Sequence, residues 1–60
     1  AMSEFKTIRI SLKSGETFQA KVRPSGSGWE AFIPHLGATG FGFTQLDAIV
    51  DAFNEASAGL

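Results

Sequence analysis

Residues 44–59 read TQLDAIVDAFNEASAG, from Thr44 to Gly59, and the spacing of their side chains decides the fold. Leu46, Ile49, Val50 and Phe53 fall at i, i+3, i+4 and i+7, the repeat that gathers side chains on one face of an α-helix. Ala48, Ala52 and Ala56 add the residue with the highest helix propensity. Thr44 is a residue type that caps helix N-termini, and Asp47 three positions later completes a capping box with a shortened acid. Gly59 supplies a stop. The pattern predicts a helix over about residues 45–57, its apolar stripe turned to a core and its acids to solvent.

Upstream the period changes from 3.6 to 2. In residues 6–12, Ile8, Ile10 and Leu12 alternate with Thr7, Arg9 and Ser11, as in a half-buried strand. Lys13-Ser14-Gly15-Glu16 then suits a tight hairpin turn. Residues 17–23 alternate again, with Phe18, Ala20 and Val22 against Thr17, Gln19, Lys21 and Arg23. Residues 24–28 have the composition of a second turn, and Trp29–Ile33 reads as a third strand ended by Pro34. In residues 37–43, Thr39, Phe41 and Phe43 alternate with small residues and predict a short fourth strand; Gly40 and Gly42 mark either a bulge or a close backbone approach. The expected fold class is therefore α+β: an antiparallel three- to four-stranded sheet with one C-terminal helix packed on one face. Its expected core is Ile8, Ile10, Leu12, Phe18, Ala20, Val22, Trp29, Ala31, Ile33, Leu46, Ile49, Val50 and Phe53.

Sixty residues hold one small domain, placed at residues 3–58, with Ala1 read as a cloning remnant ahead of Met2. There is no Cys, which excludes a disulfide framework and a thiolate metal site. No apolar run approaches the ~18 residues of a membrane span, and the first fifteen residues lack the apolar stretch of a secretory leader, so a cytoplasmic chain without a membrane partner is expected. A domain of this size buries only about 60% of the surface its unfolded chain exposes, which makes self-association an early expectation. The net charge of −1 hides a division: residues 1–23 carry +3, and residues 24–60, with no Lys or Arg, carry −4.

Catalysis has little to work with. His35 is the single His, in a strand-to-loop corner with no Cys to activate, and the Ser residues fall in turns or near the termini. Asp47, Asp51 and Glu55 diverge along a helix, whereas a cation site needs ligands that converge. The glycines of residues 37–42 match neither GxGxxG nor the phosphate-binding loop. We therefore expect no enzyme activity, no catalytic residues, no metal and no cofactor.

Two surfaces remain. Asp47, Asp51 and Glu55 stack at i, i+4 and i+8 with no cation interleaved, an arrangement that opposes itself by a few tenths of a kcal/mol per pair (~0.2–0.5) and that a basic partner would relieve. On the sheet face away from the helix, Arg9, Lys21 and Arg23 surround Phe32, a small version of the basic, aromatic sheets that bind single-stranded nucleic acid. That face and the open strand edges are also where self-association is expected.

Residues 18–56 resemble the HicB-type antitoxin domain. The matches are Gly28-Trp29-Glu30-Ala31, Pro34-His35-Leu36-Gly37, Gly42-Phe43-Thr44 and Leu46-Asp47-Ala48, in the family's order of strand, Gly-containing turn, aromatic-led strand, Pro-x-Leu corner and Thr-opened helix. His35 replaces the family's usual Asp, Gly37 stands alone where the family has Pro-Gly, and the DNA-binding domain that full members often carry is not expected here. The resemblance implies a non-catalytic fold that neutralises a small basic RNase toxin and self-associates as a homodimer. The expected function is inhibition by occlusion of a basic, nucleic-acid-processing protein. One alternative is a phage-encoded inhibitor of a bacterial nucleic-acid-targeting defence complex, of the anti-CRISPR type. A second is a small nucleic-acid-binding sheet module.

Overall fold

The structure, a computed structural model, describes residues 4–58; the readings made at Ala1, Met2, Ser3 and Gly59 lie outside the described residues. Four strands, β1 (Lys6–Ser11), β2 (Thr17–Ser25), β3 (Gly28–Ile33) and β4 (Ala38–Gly42), precede one helix, α1 (Gln45–Ala58). The strands form a single antiparallel sheet in the order β1-β2-β3-β4, each paired with its sequence neighbour. The fold is α+β, with α1 on one face. Among the described residues no helix is long and apolar enough to cross a membrane.

Turn chemistry sets the register. At the first hairpin Leu12 N–H donates to the Glu16 carbonyl (2.8 Å) and Gly15 N–H to the Leu12 carbonyl (2.9 Å). Gly15 takes φ +93°, which closes a three-residue loop whose last position must be left-handed. The second turn is tighter than the composition of residues 24–28 predicts. Ser25 already pairs with Gly28, so Gly26-Ser27 alone make the connection, Gly26 at φ +57° with Ser27 at negative φ, the pattern of a type II′ hairpin. Pro24 belongs to β2; it lies past the last β1 pairing, Lys6 with Val22, where a missing N–H costs no ladder bond.

The register puts Ile8, Ile10, Ala20, Val22, Ala31, Ile33, Ala38 and Gly40 on the helix side. The buried core is Ala20, Val22, Ala31, Ile33, Ala38, Ala48, Ile49 and Ala52. It is a core of small side chains, with Ile33 and Val22 the largest that are completely enclosed. The reason lies in β4. A methyl group added at Gly40 would fall inside the α1 backbone at Ala48 and Ala52, and one added at Gly42 would collide with Asp47 and Ala48. These two glycines are therefore a close backbone approach, not a bulge, and α1 sits down on β4 through its alanine row.

That contact corrects the expected core. Leu46 is 69% exposed, Val50 49% and Leu12 41%; none of the three is buried. Ile8, Ile10, Phe18, Trp29 and Phe53 are half-buried and pack around the core. The apolar stripe of the helix is real, but α1 has rolled so that its smallest side chains, which permit backbone-distance contact, face the sheet. Leu46 and Val50 are turned onto one flank. Phe53 stays partly engaged through an edge-to-face contact with Phe18, ring centroids 5.0 Å apart.

Candidate functional site

Helix α1 starts where the sequence places it. Thr44 Oγ1 accepts a hydrogen bond from Asp47 N–H (3.0 Å), and the Thr44 carbonyl takes the first intrahelical bond from Ala48 N–H (3.0 Å). That cap orients the three acids. Asp47, Asp51 and Glu55 are all exposed, and they lie on the flank of α1 next to β4. Asp51 has a structural task there, since its Oδ2 accepts the N–H of Phe41 at 3.0 Å. The acids are thus not a detached solvent stripe opposite the core. They run along the free edge of the sheet.

Among the described residues β4 is an outer strand, paired with β3 alone. Antiparallel ladders alternate inward- and outward-pointing backbone groups. Because Phe41 N–H points out to Asp51, the carbonyl of Phe41 and both backbone groups of Thr39 also point off the edge. The edge Ala38–Gly42 contains neither Lys nor Pro, the usual guards of an open strand. The edge of β1 does carry Lys6 and Arg9.

The other sheet face joins the residues expected there. Lys21 stands directly across from Phe32, and Arg9 across from Gln19. Arg23 is less available than its sequence neighbours imply: its Nε donates to Glu30 Oε1 at 2.7 Å, and its guanidinium lies 4.3 Å over the Phe5 ring. Two aromatics on this face escaped the sequence reading. Phe5 precedes the first strand, so no alternation assigns it a side. Phe41 faces Glu30 across the ladder, and only the β3–β4 register, not the Gly-Phe-Gly spacing, tells which face it takes. The Arg9, Lys21, Arg23 and Phe32 surface therefore gains Phe5 and Phe41, the latter 58% exposed.

His35 is exposed in the turn between β3 and β4, where Gly37 N–H donates to the Pro34 carbonyl (3.2 Å). It lines a hollow of about 460 Å³ with Glu16, Thr17, Phe18 and Phe53. A second open hollow of about 260 Å³ lies beside Trp29 and Phe43 at the opposite end of the sheet. Both are wide depressions at strand ends.

The chain thus presents an acidic edge, a basic aromatic face and, on the helix side, exposed aliphatic side chains, all on a four-stranded α+β scaffold. No family model, curated protein or solved structure matches it.

Proposed function

We propose that this chain is a non-catalytic binding protein that acts in the cytoplasm by covering a basic, nucleic-acid-processing partner, as a HicB-type antitoxin covers its RNase toxin. One observation carries the reading: Asp47, Asp51 and Glu55 line the outer edge of β4, where Asp51 holds the Phe41 N–H while the Phe41 carbonyl and both backbone groups of Thr39 point outward. An incoming segment can hydrogen-bond those remaining groups, while its Lys and Arg side chains meet the acids on α1. The charge pattern supplies complementarity and the backbone edge supplies register. The residues that resemble the HicB pattern, Gly28–Ala31, Pro34–Gly37 and Gly42–Thr44, support the same reading, because they lie in β3, in the turn into β4, and at the end of β4 and the helix cap. A phage-encoded inhibitor of a nucleic-acid-targeting defence complex would use the same surface on a different basic subunit.

The test is capture from host lysate with the wild-type chain and with Asp47→Lys/Glu55→Lys. That pair leaves Asp51 to hold Phe41. A basic protein retained by the wild type and lost by the double variant is the expected result. Identical recoveries from both would remove the acidic edge from the function.

A second reading is favoured by the row Phe5, Arg23, Glu30 and Phe41 beside the Lys21–Phe32 pair on the opposite face. Exposed aromatics among cations stack bases and hold phosphates. Gel-shift titration with single-stranded RNA and DNA checks it: binding that weakens with added salt supports it, and no shift at low salt eliminates it.

A further inference from the structure

The sheet face away from α1 carries aromatic rings at regular steps. Phe41 stands opposite Glu30, and Phe32 lies two residues further along β3, so Phe32 and Phe41 are diagonal neighbours. Such side chains lie about 7–8 Å apart. Phe43 follows Phe41 by two residues, about 7 Å along an extended chain. Carbon atoms in contact are about 3.5–4.0 Å apart, so each of these steps leaves a gap one flat ring wide. At the second step lies a hollow of about 260 Å³, whose lining includes Phe41, Phe43, Trp29 and the hydroxyl residues Ser25 and Ser27. Gly28 and Gly42 complete it with bare backbone; a methyl group at Gly28 would strike the Gly42 carbonyl.

We propose that this hollow takes one nucleobase of a single-stranded nucleic acid, stacked against Phe41 and Phe43, with the strand continuing over Phe32 toward Lys21 and Arg9. The proposal rests on the second reading above, that this face binds nucleic acid, and names where on the face a base is held.

Neither ring is spent on the fold. Phe43 is 81% exposed and Phe41 58%. Phe43 precedes the Thr44 cap, the position from which an apolar side chain staples onto the first turn. The matching position is Ala48, which is wholly enclosed under the helix, so no staple forms. The lining suits a base. The rings match its faces, and the two hydroxyls both donate and accept, so they can answer any base edge. The hollow is smaller than the roughly 300–1,000 Å³ that drug-sized ligands occupy, a fit for one ring system. Charge selects the occupant. Among the described strand residues of this face Glu30 is the one acid, and Arg23 binds it at 2.7 Å, so Lys21 and Arg9 remain as net positive charge. Lys21 stands directly across from Phe32, where it meets the phosphate of a base stacked on that ring. An apolar protein segment would desolvate this lysine without pairing it. Asp51 and its acidic neighbours on α1 flank the β4 edge and repel phosphate, which turns the strand inward across β3 and β2.

Fluorescence titration at low salt with a short oligothymidylate, and with an abasic strand of equal length and charge, tests the proposal. Trp29 is the single Trp of the chain and lines the hollow, so its emission reports occupancy there. The base-bearing strand should quench it and bind at least about tenfold more tightly than the abasic strand. Phe43→Leu should remove about that tenfold, leave the abasic strand unaffected and keep the urea midpoint, because the ring is already exposed. Arg9→Gln should instead weaken both strands alike and reduce the slope of log affinity against log salt by about 0.7. A nucleoside monophosphate, which has no strand to reach Lys21, should bind at least about tenfold more weakly than the oligothymidylate. The failures separate. No binding of either strand at low salt removes the nucleic-acid face and the base hollow together. Salt-dependent binding that is equal for the two strands, or that Phe43→Leu leaves unchanged, overturns the hollow and keeps the face. Equal affinity for the monophosphate and the oligothymidylate overturns a strand as the occupant. A protein retained by the wild type and lost with Phe43→Leu, with no oligonucleotide bound, overturns the proposal and gives the rings to a protein partner.

Discussion

The two flanks of α1 are built on different length scales. Toward β4 the helix meets the sheet backbone to backbone: Gly40 and Gly42 have no room for a methyl group, Ala48 and Ala52 are wholly enclosed, and Asp51 hydrogen-bonds the strand itself. Toward β1 the contact opens into a hollow, and Leu46 and Val50 stay exposed beside it while Ile49 between them is buried. The position of a helix on a sheet is thus set here by where the smallest residues are, not by where the largest are. Dispersion falls steeply with separation, so a run of Ala on Gly at contact distance outcompetes a looser seat on bulky side chains.

The largest effect should come from breaking the close flank. Gly40→Leu should lift α1 from β4 and cost at least ~3 kcal/mol, read as a lowered urea midpoint or loss of the cooperative transition. A midpoint unchanged from wild type would mean that the glycine contact is dispensable. Ala52→Leu on the same flank overpacks a fully enclosed site and should cost about 1–3 kcal/mol. Its counterpart on the open flank sharpens the contrast: Leu46→Ala should cost less than ~1 kcal/mol, against about 2–5 for a buried Leu. Thr44→Ala should remove about 1 kcal/mol by leaving the Asp47 amide without its cap, with the loss seen as fraying of the first turn by circular dichroism. The smallest change belongs to Asp51→Ala. It should lower stability by about 0.5–1 kcal/mol and accelerate hydrogen exchange at the Phe41 amide, while Asp51→Asn, which keeps an acceptor, should restore most of the protection.

Much of this was legible residue by residue. The alternation of Ile8 and Ile10 with Thr7 and Arg9, the Gly15 turn and the Thr44 cap place β1, the first hairpin and the start of α1 to within a residue or two. Gly40 and Gly42 were legible as either a bulge or a close approach but not as the seat of the helix, because a glycine signals absent bulk without naming what enters the space. Leu46 and Val50 were misplaced for a related reason. A 3.6-residue repeat shows that a helix has an apolar side, yet alanine counts weakly in that pattern and can still be the face chosen for contact. The acids were legible as a row, but their alignment with β4 was not. Phe41 needed the register, which fixes the face of every residue in a strand at once, and Phe5, just ahead of β1, needed its contact with Arg23.

By itself, then, the sequence determined the type of the elements and their order, the first hairpin turn, the separation of a basic N-terminal part from an acidic remainder, and the capped start of α1, while it left the strand count at three or four. These depend on local periodicity, on backbone freedom at Gly15 and on near-neighbour hydrogen bonds, all encoded within a few residues. Only the tertiary structure decided which side of α1 faces the sheet, that Asp51 is tied to β4, that Arg23 is shared between Glu30 and Phe5, and that Leu46 and Val50 stand exposed beside Ile8 and Ile10. Those depend on distances between segments far apart in the chain, where the fit of Ala48 and Ala52 onto Gly40 outweighs the hydrophobicity of any single side chain.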